Sequence, residues 1–468
     1  MLELTICLDP AGKKPLYQQL YDSLVEQIRK GTLRTGDRLP GKRSLASQLA
    51  VAVNTVDTAY QMLVAEGYLE ARAKSGFFVL EYTGILPQAA ESAVMTRREE
   101  PPPESAVRFD LSTGAVDTAL FPFRTWGRIQ KELLYHGEAL LCHGHRQGDW
   151  ELRRELAEYL RAYRGVICDP EQIVVGAGVE YLLGLLAQLL RGRTAAVENP
   201  GYDRPGTILE NNGIPCRCVD IDGSGLDPRA LEESGADLCY VTPSHHFPTG
   251  VTMPAGRRAQ LLRWASGKAG RYILEDDYDA EFRFDMRPLP SLQGMAGPEG
   301  RVVYLCTFSK SLAPSIRIAC MVLPWELLEE YRRAFGSYSS TVSRFEQQTL
   351  RLFLENGHFT RHLARMRSAY KTRMERLAGA LEAAFGQEKI RLSGRHTGLH
   401  LLLALPGGPG ESRMIEAAME EGVKIRGLSA YYMERRDRCA PNSVILGYAS
   451  LQDEEIPALA EALQRAWG

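Results

Sequence analysis

The sequence predicts two structured parts: a large α/β domain built on a mainly parallel sheet, and a small helical domain that ends in a β-hairpin. One observation is a change of composition over residues 81–108, where large apolar residues are sparse and Pro101–Pro103 are consecutive. Three amphipathic helical patterns and two short strand-like runs come before this segment, and short apolar runs alternate with helical patterns after it. We therefore expect a domain over residues 1–80, a linker over 81–108 and a domain over 109–468.

The composition is that of an ordinary globular protein. The 468 residues carry 56 Lys and Arg against 58 Asp and Glu, which excludes a polycationic nucleic-acid binder but not a small DNA-binding module. No apolar run is long enough to span a bilayer, so we expect no membrane partner. Nine scattered cysteines without a CxxC pair indicate reduced thiols and a cytoplasmic location, and we expect no metal site.

The first domain begins with three helical patterns. Leucine or isoleucine at every fourth position predicts an amphipathic helix over residues 16–30, ended by Gly31. A short second helix is expected over residues 44–49. Asn54 is a residue type that favours helix N-caps, so we expect it to cap the third helix, which Gly67 ends.

A predicted hairpin follows these helices. Residues 68–72 and 77–80 read as strands, and residues 73–76 between them form a tight turn. Two short helices joined by a turn and followed by a hairpin make a winged helix-turn-helix. Such a module places its second helix in the major groove of DNA and its wing beside the phosphates.

The segment from Pro15 to Val79 resembles the GntR-type DNA-binding domain almost end to end. The residues that carry the resemblance are Gly31, Gly36, Leu39, Pro40, Arg43, Leu45, Ala46, Asn54, Thr55, Val56, Glu66, Gly67 and Gly76. The family usually has Ser-Arg before Asn-Thr-Val, whereas this chain has Ala-Val, so one expected DNA-contacting arginine is missing. The candidate DNA-binding residues are therefore Arg43, Asn54, Thr55 and Lys74 in the wing.

The second domain contains apolar runs that are short enough to be buried strands. These runs cover residues 173–175, 195–197, 238–242, 272–274, 302–306 and 321–323. Because helical patterns separate them, we expect a mainly parallel sheet with its ligand beyond the carboxyl ends of the strands.

The run over residues 302–306 is followed by a short polar segment that contains a lysine. A desolvated lysine at a strand end has a lowered pKa and can form a Schiff base, so Lys310 is the candidate nucleophile. Thr307, Ser309 and Arg317 are residue types that bind phosphate. The glycine-rich turn before Val179 and Glu180 offers further backbone N–H groups to a phosphate.

The run over residues 272–274 leads into acidic residues and a tyrosine. A carboxylate at this position can keep a pyridine nitrogen protonated, and the tyrosine can hydrogen-bond a phenolic oxygen. Both Asp276 and Asp277 are candidates for the carboxylate. The residues alone leave this choice open.

Taken together, these motifs resemble a type I fold aminotransferase that binds pyridoxal 5′-phosphate (PLP). The order of the two domains resembles the MocR/GabR-type transcriptional regulators over nearly the whole chain. The resemblance implies a homodimer and the following roles: Lys310 forms the PLP Schiff base, Asp276 pairs with the pyridine nitrogen, Tyr278 contacts the phenolic oxygen, Tyr202 lies near the ring, Arg204 is on the effector side, and Thr307, Ser309, Arg317 and the amides of Val179 and Glu180 hold the phosphate.

Two departures from the aminotransferase pattern affect the expected function. Phe247 replaces an asparagine whose amide tunes the ring oxygen, and Ile445 stands where aminotransferases place an arginine for the substrate carboxylate. An apolar residue cannot pair a buried carboxylate. We therefore expect a PLP-binding regulator of operator DNA that senses an amine, an amino acid or PLP itself. The alternative is an active aminotransferase that carries a DNA-binding module.

Overall fold

The computed structural model describes residues 6–10, 12, 14–73, 75–81, 107–285, 289–434, 439 and 442–468. The chain separates into two compact units, Met1–Pro103 and Glu104–Gly468. Nearly all of the expected linker and Lys74 of the wing lie outside the described residues, so those expectations stay predictions. No helix of the described segments is long and apolar enough to cross a membrane.

The first unit has the predicted winged helix-turn-helix order. Its elements are α1 (Leu16–Arg29), α2 (Lys42–Gln48), α3 (Val53–Ala65), β1 (Leu69–Arg72) and β2 (Gly76–Val79). The apolar faces of the three helices share one core with the base of the antiparallel hairpin. Burial of these faces is the main stabilising term for helices this short.

The structure contradicts the predicted cap of the third helix. The N-cap of α3 is Ala52, an extended residue with φ −64° and ψ 144°, and no side chain hydrogen-bonds there. Asn54 therefore lies inside the first turn and is exposed. The prediction failed because an asparagine near a helix start fits either position, and here its side chain stays at the surface.

The second unit is an α/β domain with a smaller C-terminal layer. In chain order it contains β3 (Phe109–Asp110), α4 (Phe123–His136), α5 (Trp150–Arg164), β4 (Ile173–Gly176), α6 (Val179–Leu189), β5 (Ala195–Asn199), α7 (Asp203–Asn211), β6 (Cys216–Asp222), β7 (Gly225–Leu226), α8 (Pro228–Glu233), β8 (Leu238–Val241), α9 (Ala255–Ser266), β9 (Tyr272–Asp277), α10 (Leu292–Ala296), β10 (Val302–Thr307), β11 (Ala319–Val322), α11 (Trp325–Ala334), α12 (Arg344–Glu355), α13 (His358–Phe385), β12 (Arg391–Ser393), β13 (His400–Ala404), α14 (Glu411–Glu420), β14 (Val423–Lys424), β15 (Arg426–Gly427), β16 (Ser443–Gly447) and α15 (Ile456–Trp467).

The main sheet has the strand order β4-β11-β10-β9-β8-β5-β6-β7. The strands from β10 to β6 are parallel, whereas β11 runs antiparallel to both of its neighbours. All six predicted apolar runs are strands of this sheet, so the predicted mainly parallel α/β fold is confirmed. Its strands are buried on both faces between helical layers, which explains why they read as continuous apolar runs.

A separate antiparallel sheet of order β12-β13-β16-β15 forms the C-terminal layer. The long helix α13 and helices α14 and α15 contribute to its apolar core. The short strand β3 pairs in parallel with β14, with Phe109 opposite Val423. The start of this unit is thus tied to its C-terminal layer.

Candidate cofactor site and DNA-reading surface

The candidate site lies beyond the carboxyl ends of the parallel strands. Lys310 follows β10, Tyr278 follows β9, His245 follows β8 and Tyr202 follows β5. These four strands are neighbours in the sheet. Because parallel strands end at the same edge, residues that are far apart in sequence converge there.

Lys310 is held within the protein and not in solvent. Its Nζ donates a hydrogen bond to the carbonyl oxygen of Thr113, and the residue is half-buried. Burial lowers the pKa of Lys310 to about 8, although nearby Asp279 opposes this shift. A larger fraction of the amine is therefore uncharged and nucleophilic near neutral pH than for an exposed lysine.

The two neighbouring carboxylates, Asp276 and Asp277, have different surroundings. Asp277 forms a buried ion pair with Arg164 and accepts a hydrogen bond from Tyr304 at 2.6 Å. Burial opposes ionisation of Asp277, but Arg164 outweighs it and holds the pKa of this carboxyl below its usual range. Asp276 accepts a hydrogen bond from Tyr240 and contacts no cation within the described part of the chain.

The absence of a paired cation favours Asp276 as the partner of a pyridine nitrogen. The Oδ1 atoms of Asp276 and Asp277 are both buried without a hydrogen-bond partner, but Asp277 alone is paired with Arg164. Burial raises the pKa of Asp276 to about 7, and the adjacent Asp277 adds to the shift. A buried carboxylate in this state is stabilised by a cationic N–H donor, whereas Asp277 already has its cation.

Tyr278 contacts a histidine that the sequence analysis did not single out. The Tyr278 hydroxyl lies 3.0 Å from Nδ1 of His245, and the same Nδ1 lies 2.8 Å from Oδ2 of Asp279. Both rings belong to the lining of the site. The only sequence signal was a histidine two positions before the Phe247 that replaces asparagine.

A buried aromatic cluster packs against Tyr202 and Tyr278 of the site. The Phe247 ring makes edge-to-face contacts with Tyr202 at 5.7 Å and Tyr431 at 4.9 Å between ring centroids. Ile445 is buried in the same apolar cluster. The residue in the expected place of the aminotransferase arginine is therefore part of an apolar wall.

Two arginines stand at the edges of this aromatic cluster. The guanidinium of Arg204 lies 5.9 Å from the Tyr202 ring centroid, and that of Arg426 lies 5.5 Å from the Tyr431 ring centroid. Arg426 is the direct cross-strand partner of Ile445. The pairing of β15 with β16 creates this proximity, so it was not evident from the distance of 19 positions along the sequence.

The residues predicted to hold a phosphate lie near the start of α6 and the end of β10. Arg317 ion-pairs with Glu180 and donates to the carbonyl oxygen of Ala177 at 3.2 Å. A side chain at Gly178, where φ is +96°, would overlap the Arg317 guanidinium. The absence of a Cβ there lets the arginine lie across the helix N-terminus.

At the end of β10, the hydroxyls of Thr307 and Ser309 lie 2.9 Å apart. Ala319 follows Arg317 by two residues and pairs with both Thr307 on β10 and Gly176 on β4. The structure thus aligns the three strand ends that carry the predicted phosphate donors.

These residues fit a phosphorylated pyridine aldehyde. The site contains a desolvated lysine, a buried carboxylate oxygen without a partner, and a cation with two hydroxyls beside a helix N-terminus. The lysine matches an aldehyde carbon, and the carboxylate matches a protonated ring nitrogen. The cation, the hydroxyls and the helix N-terminus match a phosphate.

The DNA-reading candidates lie on the surface of the first unit. Arg43 and Asn54 are exposed, and Thr55 is half-buried in the first turn of α3. An ion pair between Lys42 and Asp57 ties the start of α2 to the start of α3. The first turns of the two helices are thus held near each other, with the Arg43 charge left in solvent.

Comparison with protein families assigns a class to each unit. Residues 16–79 match the model of the bacterial regulatory proteins of the gntR family, and residues 108–463 match the model of aminotransferases of class I and II. The chain therefore joins a gntR-family DNA-binding domain to an aminotransferase class I and II domain.

Relatives with the same arrangement align over almost the full length. The HTH-type transcriptional regulator YhdI of Bacillus subtilis is 37% identical over 100% of this chain and 98% of that protein. The probable rhizopine catabolism regulatory protein MocR of Rhizobium meliloti is 31% identical over 99% and 96%. The pyridoxine biosynthesis regulator PdxR of Corynebacterium glutamicum is 31% identical over 97% of each chain. The chain belongs to the MocR/GabR-type transcriptional regulators, as the resemblance predicted.

Solved structures agree on the fold of the large unit. Kynurenine aminotransferase of Pyrococcus horikoshii, solved with PMP, superposes with a TM-score of 0.68 at 25% identity over 78% of this chain and 91% of that one. The α-aminoadipate aminotransferase LysN of Thermus thermophilus, solved with N-(5′-phosphopyridoxyl)-L-leucine, gives 0.66 at 26% identity over 77% and 94%. The predicted type I aminotransferase fold is confirmed.

Proposed function

We propose that this transcriptional regulator binds PLP covalently through Lys310 and that an amine-type effector, or PLP itself, changes its affinity for operator DNA. The observation that carries the proposal is that a desolvated lysine and Asp276, whose buried Oδ1 has no partner, lie at the ends of neighbouring strands of the sheet. Both groups are costly to bury unless a ligand engages them. The aminotransferase structures solved with PMP and with a phosphopyridoxyl adduct support the same cofactor.

Each predicted cofactor-binding residue has a role in this proposal. Asp276 holds a proton on the pyridine nitrogen, and Tyr278 donates to the phenolic oxygen while Tyr202 lines the ring. The phosphate is held by Thr307, Ser309, Arg317 and the amides of Val179 and Glu180. PLP supplies an aldehyde that captures amines and a ring that withdraws electrons.

The effector is expected to combine an amine with an anionic group. Arg204 and Arg426 both lie over aromatic rings at the edge of the site, where a carboxylate can pair with either guanidinium. The effector must favour one arrangement of the protein over another, because a ligand shifts an equilibrium only by its differential affinity.

A sensor is favoured over an aminotransferase with turnover. Ile445 is buried in the aromatic cluster and cannot pair a substrate carboxylate at that place. Arg426 is exposed at the neighbouring strand position, where its charge is solvated. An enzyme needs tighter positioning of its substrate than binding alone requires.

Homodimer formation is part of the proposal. Large apolar side chains on and after α4 are exposed in the single chain, among them Leu134 at 70% and Leu141 at 80%. Exposed apolar residues this close in sequence are typical of a surface that a partner covers. Two DNA-binding domains then read two half-sites, so the operator is expected to contain a direct or inverted repeat. The regulator is expected to act in the cytoplasm.

The experiment is an absorbance spectrum of the purified protein with PLP, followed by titration with a panel of amines and amino acids. The wild type is expected to show a visible band from covalently bound PLP, and one amine is expected to shift it and to change DNA affinity. Lys310→Ala is expected to lose the band and retain DNA binding. Lys268→Ala, which removes an exposed lysine that pairs with Asp237, is the matched control and keeps the band.

Two results would overturn the proposed PLP-binding sensor, and two others would overturn the proposed dimer. Absence of the band in the wild type means that Lys310 does not bind PLP. Conversion of the cofactor to its amine form with release of a keto acid identifies an aminotransferase instead. A single unrepeated DNA footprint, or a monomer in solution, excludes the dimeric arrangement.

A further inference from the structure

His245 sits at the centre of a buried polar contact that the roles described above do not use. The residue is 1% exposed, and its Nδ1 lies 2.8 Å from Oδ2 of Asp279 and 3.0 Å from the hydroxyl of Tyr278. The His245 and Tyr278 rings are stacked with centroids 6.0 Å apart. A single nitrogen therefore faces two oxygens.

The chemistry of the two oxygens determines where the hydrogens lie. An ionised carboxylate only accepts hydrogen bonds, so the hydrogen between His245 and Asp279 belongs to Nδ1. Nδ1 then has no lone pair to accept the Tyr278 hydrogen. The hydroxyl oxygen of Tyr278 faces the Nδ1–H group, so the hydrogen of this hydroxyl is available to a third partner.

The fold provides a dedicated place for this imidazole. Gly398 has φ +77°, and a Cβ at that position would overlap Cε1 of His245. The His400 ring lies 4.8 Å from the His245 ring, and its Nε2 interacts with the carbonyl oxygen of Pro248 at 3.0 Å. His245 is thus held by packing on one side and by Asp279 on the other.

We propose that His245, fixed by Asp279, is a positioning residue that makes Tyr278 a hydrogen-bond donor toward the phenolic oxygen of PLP. In aminotransferases an asparagine amide tunes the ring oxygen, and this chain has Phe247 in its place. The hydrogen bond from Tyr278 would take over that effect. The inference rests on the proposed binding of PLP at Lys310.

Other titratable groups surround the pair. Asp276 and Lys310 belong to the same site, and His246 and His400 pack near His245 with pKa values lowered chiefly by burial. Glu198 lies behind them, and burial raises its pKa to about 8. Burial, followed by Asp279 and Asp276, raises the pKa of Tyr278 well above its usual value. The hydroxyl therefore keeps the hydrogen that it donates.

The experiment measures the pH midpoint of the visible band of bound PLP in the full-length protein. A donor to the phenolic oxygen stabilises negative charge there, which favours loss of the proton that this oxygen would share with the nitrogen of Lys310. His245→Gln is expected to weaken this donor and to raise the midpoint by about one pH unit, the size typical of one charge-assisted hydrogen bond. Asp279→Asn is expected to raise it in the same direction.

Two isosteric substitutions separate positioning from packing. The amide nitrogen of asparagine superposes on Nδ1 of histidine, whereas that of glutamine superposes on Nε2. His245→Asn is therefore expected to retain more of the wild-type midpoint than His245→Gln. In a Tyr278→Phe background, His245→Gln is expected to cause no further shift, because the group through which it acts is gone.

An exposed histidine–carboxylate pair serves as the matched control. His396 lies 3.6 Å from Asp285 at the surface, so His396→Gln is expected to leave the midpoint unchanged. A midpoint unchanged in His245→Gln, or a shift of the same size in the Tyr278→Phe background, overturns the inference while PLP binding stands. Absence of the band in the wild type overturns the proposed function itself.

Discussion

The candidate DNA-reading surface and the candidate cofactor site use polar residues in opposite ways. Arg43 and Asn54 are exposed in the first unit, whereas Asp276 and His245 are buried in the second. DNA phosphates are bound by solvated charges that release counterions, so these side chains need no burial before binding. A small ligand is bound by groups that the fold has already desolvated and oriented.

This desolvation shifts the pKa values of buried groups in the second unit. Burial lowers the pKa of Lys310 to about 8 and raises that of Asp276 to about 7. Perturbed values of this kind concentrate where a fold prepares groups for chemistry or binding. The two regions are also experimentally separable, since salt screens exposed charges much more than buried ones.

Salt tests the comparison with the largest expected effect. Between roughly 50 and 200 mM salt, operator affinity is expected to fall about 10³-fold because several phosphate contacts are lost together. PLP binding is expected to change by less than about threefold, since buried charges are screened weakly. Fluorescence anisotropy of labelled operator and absorbance of bound PLP measure the two effects. Equal losses would show that the cofactor site is as solvated as the DNA surface.

The two neighbouring carboxylates sharpen the comparison within the buried site. Asp277→Asn is expected to lower the free energy of unfolding by about 3–5 kcal/mol, because Arg164 is left buried without its counterion. Asp276→Asn is expected to change it by less than about 1 kcal/mol, since no cation is stranded, and to weaken PLP binding about tenfold. Chemical denaturation and PLP titration measure these effects. If both variants lose stability equally, the assignment of Asp276 to the pyridine nitrogen is wrong.

The pH dependence of PLP attachment tests the desolvation of Lys310. Only the uncharged amine reacts, and its pKa of about 8 is below that of an exposed lysine. The attachment rate to the apoprotein is expected to rise about tenfold per pH unit below pH 8 and then level off. Stopped-flow absorbance measures the rate. A rate that continues to rise to pH 10 indicates a solvated lysine.

A single exposed arginine gives the smallest expected effect. Arg43→Ala is expected to weaken operator binding about tenfold and to reduce the salt slope by about one, with no change in the unfolding temperature. Lys14→Ala, which removes an exposed cation paired with Asp22 on α1, is the matched control. A loss of stability in Arg43→Ala would show that this side chain supports the fold and not DNA binding.

The sequence was most informative about where strands end. The apolar run before Lys310 and the run before Asp276 predicted that both residues lie at one edge of a parallel sheet. Lys310 follows β10 there, and Asp276 is the penultimate residue of β9. Periodicity alone could not locate the start of α3, because Asn54 is acceptable both as a cap and in the first turn. The neighbours Asp276 and Asp277 could not be separated with certainty either, since Arg164 lies 113 positions away.

The amino-acid sequence by itself determined the order of the two domains, the parallel α/β fold and the chemical types gathered at its edge. These features follow from local periodicity and from the common direction of parallel strands. Only the tertiary structure decided which carboxylate is paired with Arg164, that His245 faces Tyr278, and that Arg426 lies opposite Ile445. The physical reason is that burial, ion pairing and hydrogen-bond direction depend on neighbours from other strands, which the order of residues along one segment does not specify.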